Sequence, residues 1–253
     1  MEDSLLQFPE QFSYDPEIIN GDSMPLFQHF VLGGMGGSHL HADILAGYDP
    51  SIDLTVHSDY GLAPVSHVPP ANDGAREETL FIASSYSGNT EEAIDFGRRA
   101  LEQGYHTACI STGGKLIDFA REHNLPYVQI PDTGIQPRTA LGFALLALAR
   151  FVRPDLLPEI KKLGNVIQPD TLRPDGEEVA ETLRDYMPVI NSSTPNQPIA
   201  YNWKIKFNET GKIPAFYNVF PELNHNEMQG FDPNEKNRHI SERVRFIFIR
   251  DDR

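Results

Sequence analysis

Leu80-Phe81-Ile82-Ala83-Ser84-Ser85-Tyr86-Ser87-Gly88-Asn89-Thr90 passes from an apolar run into a loop of hydroxyls, and an amphipathic run from Thr90 to Gln103 follows. Ala93, Ile94, Phe96, Ala100 and Leu101 fall on one side of that run at helical spacing, so it reads as a helix that covers a sheet. Gly104 ends it. Serine and threonine hydroxyls bond an oxyanion without adding charge, and the N–H groups and dipole at a helix N-terminus favour the same kind of ligand. An earlier stretch has the same plan: Phe30-Val31-Leu32, then Gly33-Gly34-Met35-Gly36-Gly37-Ser38-His39. Glycine lets a backbone turn sharply and approach a ligand closely. Two such loops can meet at the carboxyl edge of a parallel sheet, where open α/β folds take their ligands. The pair points to a phosphorylated small molecule.

Outward from these loops the alternation continues. Phe30 to Leu32, Ile52 to His57, Thr79 to Ala83, Tyr105 to Ile110 and Tyr127 to Ile130 read as strands. Ser38 to Ala46, Thr90 to Gln103 and Lys115 to His123 read as helices. This rhythm predicts a parallel sheet covered on both faces. Arg138 to Val152 reads as a buried helix, and Pro154 to Pro174 as a helical or irregular connector. A surface helix is expected from Glu177 to Met187 and a turn-rich break over Asn191 to Asn196. A second αβ unit then starts at Pro198 to Tyr201, with Trp203 to Gly211 helical and Ala215 to Val219 and Val244 to Ile249 extended.

The 253 residues carry a net charge of −15, and 40% are hydrophobic. That charge balance argues against a nucleic-acid partner, which needs basic patches. No apolar run approaches the roughly 20 residues needed to cross a bilayer, so no membrane partner is expected. The acidic start MEDSLLQFPEQF lacks a signal peptide's basic and apolar regions, and a cytoplasmic location is the expectation. One cysteine, Cys109, permits no internal disulfide and reads as a buried, inert thiol.

Two cofactor motifs are incomplete in these residues. Gly34-Met35-Gly36 supplies two glycines of a dinucleotide fingerprint, but His39 stands at the third place, so no nicotinamide is expected. Glu222, His225 and Glu227 are close in sequence, yet no second cluster completes a metal site, and no metal is expected.

Ser84-Ser85-Tyr86-Ser87-Gly88-Asn89-Thr90-Glu91-Glu92 resembles the phosphosugar loop of sugar isomerase (SIS) domains. The longer pattern resembles the bifunctional phosphoglucose/phosphomannose isomerases. It comprises Gly34-Met35-Gly36-Gly37-Ser38, Ser111-Thr112-Gly113-Gly114-Lys115-Leu116, Pro137-Arg138, Asn208-Glu209 and Phe220-Pro221-Glu222-Leu223-Asn224-His225-Asn226-Glu227. These pieces occur in family order.

The resemblance implies an α/β, SIS-type doubly wound parallel sheet with helices on both faces, followed by an incomplete second αβ subdomain. The expected division is an N-terminal SIS subdomain over 1–153, a helical connector over 154–196 and a partial second SIS subdomain over 197–253. The implied reaction interconverts glucose 6-phosphate or mannose 6-phosphate with fructose 6-phosphate through an enediol, without a cofactor. Glu209 is then the base, His225 the ring-opening histidine and Arg138 the cation that steadies the enediolate. Gly36, Gly37, Ser38, Ser85, Ser87 and Thr90 hold the sugar 6-phosphate. For the four hydroxyl residues helix capping stands as the alternative. His39 and His41 stand where the family more often has small residues.

The sequence ends at Arg253, within what corresponds to the family's second subdomain, before the C-terminal helix that supplies a lysine. The expectation from this is a shortened chain whose exposed sheet edge is covered in a homodimer. A second function class, a non-catalytic phosphosugar sensor or inactive remnant, would keep the serine loop without needing Glu209, Arg138 and His225 together.

Overall fold

The computed structural model describes residues 2–63, 77–232 and 234–250. The chain divides between Pro169 and Asp170 into two compact units.

The first unit is built on five parallel strands: β1 (His29–Gly33), β2 (Asp53–His57), β3 (Thr79–Ser84), β4 (His106–Ser111) and β5 (Tyr127–Gln129). They lie in the order β2-β1-β3-β4-β5. A short helix α1 (Glu2–Leu6) comes first in the chain. The others are α2 (Leu40–Tyr48), α3 (Glu91–Glu102), α4 (Gly114–Glu122), α5 (Leu141–Val152) and α6 (Leu157–Val166).

The period of two along each strand sorts the core into two layers. Leu32, Ile82, Ile110 and Val128 pack on one face with Leu45 of α2, Leu146 and Leu148 of α5 and Ile160 of α6. Val31, Phe81, Ala83 and Cys109 pack on the other with Phe96 and Ala100 of α3 and Leu116 and Ile117 of α4. Every residue of β3 is buried, which is why it reads as an unbroken apolar run rather than an alternating one. Burying a side chain such as Phe96 stabilises by roughly 1.5–3 kcal/mol.

β1 sits between β2 and β3, so the chain leaves it first to one side and returns on the other. That reversal opens a crevice at the carboxyl ends of β1 and β3. The register pairs Gly33 with Ala83, so the glycine loop and the serine loop leave the sheet side by side. Near this crevice two helix starts differ from the sequence reading. The helix after β1 starts at Leu40, behind a 3₁₀ turn over Gly36–Ser38. Arg138 likewise lies in a 3₁₀ turn, Pro137–Thr139, and α5 begins at Leu141.

The second unit opens with α7 (Pro169–Thr182), which runs through Pro174 and buries none of its residues. Three parallel strands follow, β6 (Met187–Ser192), β7 (Phe216–Val219) and β8 (Val244–Ile249), in the order β7-β6-β8. Helix α8 (Gln197–Lys206) joins β6 to β7 and continues into a π-helical turn over Phe207–Gly211. Ile190 of β6 packs with Ala200, Phe207, Tyr217 and Ile247.

β6 corrects the sequence reading, which carried a helix to Met187 and put a turn over Asn191 to Asn196. The helix ends at Thr182, and Met187 to Ser192 form the central strand. Val189 and Ile190 are its only β-branched residues, and Pro188, Asn191 and Ser192 mimic turn chemistry. Pairing on both sides makes it a strand. Pro188, which has no N–H to give, stands where β6 meets β8 and not β7. Pro198 to Tyr201, read as the start of a new unit, lies in the first turns of α8, where a proline loses no helical hydrogen bond. No helix among the described residues is long and apolar enough to cross a membrane.

Candidate active site

The serine loop folds on itself and on its neighbours. The Ser85 and Thr90 hydroxyls bond each other at 2.9 Å, and Gly88 N–H donates to Ser85 Oγ at 3.1 Å. Asn89 N–H donates to Ser87 Oγ at 3.2 Å. Thr90 is the N-cap residue of α3, yet its side chain makes no capping bond. Its hydroxyl is spent on Ser85 instead, which leaves the first amides of α3 without a side-chain cap. A helix start in that condition is an anion-binding position. Ser38 is no cap either: its Oγ accepts from Tyr86 N–H at 3.1 Å, while its carbonyl accepts from Ser84 Oγ at 2.8 Å. The two loops are thereby tied together at the crevice.

Gly88 sits at φ +69°, and a side chain there would run into Gly113. Leu116 N–H donates to Gly88 O at 2.9 Å, which binds the loop to the start of α4. Arg138 reaches the same edge of the sheet. The space beside Gly37 is taken by its backbone, with Arg138 N 3.2 Å from where a Cβ on Gly37 would stand. The first unit therefore brings Gly36, Gly37, Ser38, Ser85, Ser87, Thr90 and Arg138 to one edge.

In the second unit Glu209 is exposed on the π-helical turn after α8. Its neighbour Asn208 fixes that turn: Asn208 Oδ1 accepts from Ala215 N–H at 2.8 Å and Asn208 Nδ2 donates to Ala215 O at 3.4 Å. Asn208 is thus held at the amino end of β7. His225 is exposed just after a 3₁₀ turn, Glu222–Asn224, beyond the carboxyl end of β7. Glu209 precedes the strand and His225 follows it, so the unit does not gather the two.

His39 and His41 turn inward. His39 Nδ1 pairs with Asp43 Oδ2 at 2.6 Å, one helical turn on. His41 is fully buried with neither ring nitrogen bonded, and burial, reinforced by His39, lowers its pKa to about 3. Cys109 is buried in the core, and desolvation pushes its thiol up to about 12. Among the described residues no group of three or more His, Cys, Asp or Glu is placed to hold a metal ion.

Three residues that stand inside the sequence motifs, Tyr86, Ser111 and Thr112, received no role from sequence reasoning. Tyr86 lies between two serines, and its backbone joins three loops. Ser111 and Thr112 both give their hydroxyls to Tyr86 O, at 3.3 and 2.7 Å. The identity of these residues carried no signal of that role, because a main-chain acceptor leaves no mark on side-chain type.

Residues 173–253 match the family described as the bacterial phospho-glucose isomerase C-terminal SIS domain. A bifunctional phosphoglucose/phosphomannose isomerase of Thermoplasma acidophilum is 34% identical over 230 residues, covering 89% of this chain and 68% of the relative. The enzyme of the same name from Aquifex aeolicus is 32% identical over 241 residues, covering 92% and 71%. Among solved structures, the C-terminal domain of glucosamine-fructose-6-phosphate aminotransferase from Francisella tularensis superposes with a TM-score of 0.65 at 17% identity, covering 98% of this chain and 74% of that one.

Proposed function

The chain belongs to the bifunctional phosphoglucose/phosphomannose isomerase family, and on that footing we propose that it interconverts glucose 6-phosphate, and mannose 6-phosphate, with fructose 6-phosphate. The observation that carries the reading is the joining of the glycine and serine loops at the reversal between β1 and β3, with Arg138 on the same edge.

In this reading the hydroxyls of Ser38, Ser85, Ser87 and Thr90, with the backbone at Gly36 and Gly37 and the uncapped start of α3, hold the 6-phosphate. The alternative of helix capping loses ground because Thr90 spends its hydroxyl on Ser85 within its own loop and Ser38 spends its hydroxyl on the serine loop, rather than on helix ends. His225 moves the proton that opens the sugar ring. Glu209 then takes the proton from C2 of the aldose and returns it to C1 while the hydroxyl proton passes from O2 to O1, which gives the ketose; the reverse reaction runs through the same enediol. Arg138, charged at every working pH, steadies the negative charge that builds on the enediol oxygens. The chemistry moves protons only and needs no cofactor.

The placement of Glu209 and His225 at opposite ends of β7 supports a homodimer, in which the His225 of one protomer serves the Glu209 of the other. Substrates that carry a phosphate do not cross a lipid layer unaided, which favours a cytoplasmic enzyme. The test is isomerisation of fructose 6-phosphate by the purified chain, with glucose 6-phosphate and mannose 6-phosphate followed separately by NMR. Turnover that disappears in Glu209→Gln supports the enzyme. A folded wild-type chain that binds fructose 6-phosphate without turning it over would instead be a phosphosugar sensor.

A further inference from the structure

Gln11 reaches the turn that carries Arg138, although 128 residues separate it from Thr139. It lies in a 3₁₀ helix, Phe8–Ser13, and is buried. Its Nε2 donates to Thr139 O at 2.7 Å. Its Oε1 accepts from Gly142 N–H at 2.9 Å and Phe143 N–H at 3.4 Å, at the start of α5. The reverse orientation of the amide would set its NH₂ against two N–H groups and its oxygen against a carbonyl, so the three contacts fix it.

The packing keeps this side chain in place. At Gly142 the space for a Cβ is filled by Gln11: such an atom would stand 2.8 Å from Gln11 Cβ and 3.0 Å from Oε1. At Gly164 of α6 a Cβ would stand 2.9 Å from Pro9 O, so a second glycine admits the same 3₁₀ helix. Phe12 anchors that helix in the core layer shared with α5 and α6. The turn itself is closed by Thr139, whose N–H and Oγ1 both donate to Gln136 O, at 2.8 and 2.7 Å. It meets the glycine loop through Arg138, with N 3.2 Å and Cα 3.4 Å from where a Cβ on Gly37 would stand.

We propose that Gln11 is a positioning residue for Arg138: its amide joins Thr139 O to the first N–H groups of α5 and sets where the Arg138 turn stands against the glycine loop. The proposal deepens the isomerase reading and rests on it for its catalytic consequence. The phosphate and the cation that steadies the enediolate are held by different segments, and the reaction requires a set distance between them. The Arg138 backbone already touches Gly37, so a turn released at Thr139 shifts the arginine relative to the phosphate.

The test compares wild type with Gln11→Glu by hydrogen exchange and by kinetics. Glutamate keeps an acceptor for Gly142 and Phe143 but faces Thr139 O with an oxygen in place of a donor. A residue that only caps α5 would lose nothing by this change, because a carboxylate suits a helix N-terminus. In Gln11→Glu the amides of Thr139 and Ala140 should exchange about tenfold faster, while those from Ser85 to Thr90 stay unchanged. For fructose 6-phosphate, kcat should fall about tenfold with KM within about twofold. In an Arg138→Gln background Gln11→Glu should lower kcat no further, because a positioning residue has no effect once the group it positions is gone. Gly142→Ala, whose new methyl displaces Gln11 from the α5 side, should reproduce both changes and serves if Gln11→Glu fails to fold. Unchanged exchange at Thr139 and Ala140 in the folded variant, faster exchange with unchanged kcat, or full additivity with Arg138→Gln overturns the proposal. A wild-type chain without turnover overturns the isomerase reading instead, and the exchange measurement then decides whether Gln11 holds the turn.

Discussion

Gly88 is packed on the carbonyl of Gly113, with its backbone at φ +69° and no room for a side chain. The glycine of the serine loop is thereby required twice, once by conformation and once by contact. Gly88→Ala should lower stability by roughly 2–4 kcal/mol, the sum of left-handed strain and overpacking. Urea denaturation measures this, and a loss under 1 kcal/mol would show that the β3 and β4 loops part easily.

Asn208 should matter for both folding and turnover. Asn208→Ala strips both partners from the backbone of buried Ala215 and frees the turn that carries Glu209. A stability loss of about 1–3 kcal/mol is expected, with kcat for fructose 6-phosphate falling at least about tenfold. Full turnover in a destabilised variant would separate the fold role of Asn208 from any role in aiming Glu209.

Mixing of variants tests the dimer. Glu209→Gln and His225→Ala chains, each inactive alone, should recover about a quarter of wild-type activity when refolded together in equal amounts. Half of the dimers are then mixed, and each mixed dimer keeps one intact site. No recovery would mean that both groups act within one protomer, or that no dimer forms.

Acid should act through His41. Burial lowers its pKa from 6.5 to about 3, so the ring stays neutral in the folded chain. Above pH 6.5 folded and unfolded chains are both neutral there, and the group adds no pH dependence. Below it the unfolded chain gains a proton that the folded chain refuses, so stability falls as the pH falls toward about 3. Wild type should therefore lose about 1.4 kcal/mol more per pH unit than His41→Leu between about pH 6 and 4. Parallel stability curves would show that the folded chain accepts the proton.

Cys109 should be silent to thiol reagents. Its thiol is buried and pushed up to about 12, so almost no thiolate exists at neutral pH. Labelling by a maleimide is expected only after denaturation; prompt labelling of the folded protein would reveal an opening of the sheet's α3–α4 face.

The sequence alone determined the first sheet, because its strands are apolar runs bounded by glycine and its helices keep an apolar stripe, and both patterns are local. It also singled out the glycine and serine loops, which the sheet register then places side by side. It misread Met187 to Ser192, where Pro188, Asn191 and Ser192 look like a turn and only pairing with β7 and β8 makes a central strand. It was silent on Tyr86, whose carbonyl gathers Ser111 and Thr112, because backbone acceptors are the same in every residue. It left open whether Thr90 caps a helix or faces a ligand, and the structure turned that hydroxyl to Ser85. Residue type and spacing decide what a segment can form by itself; the partners of its backbone and of its buried hydroxyls come from chain that lies far away in sequence, and only the folded molecule chooses them.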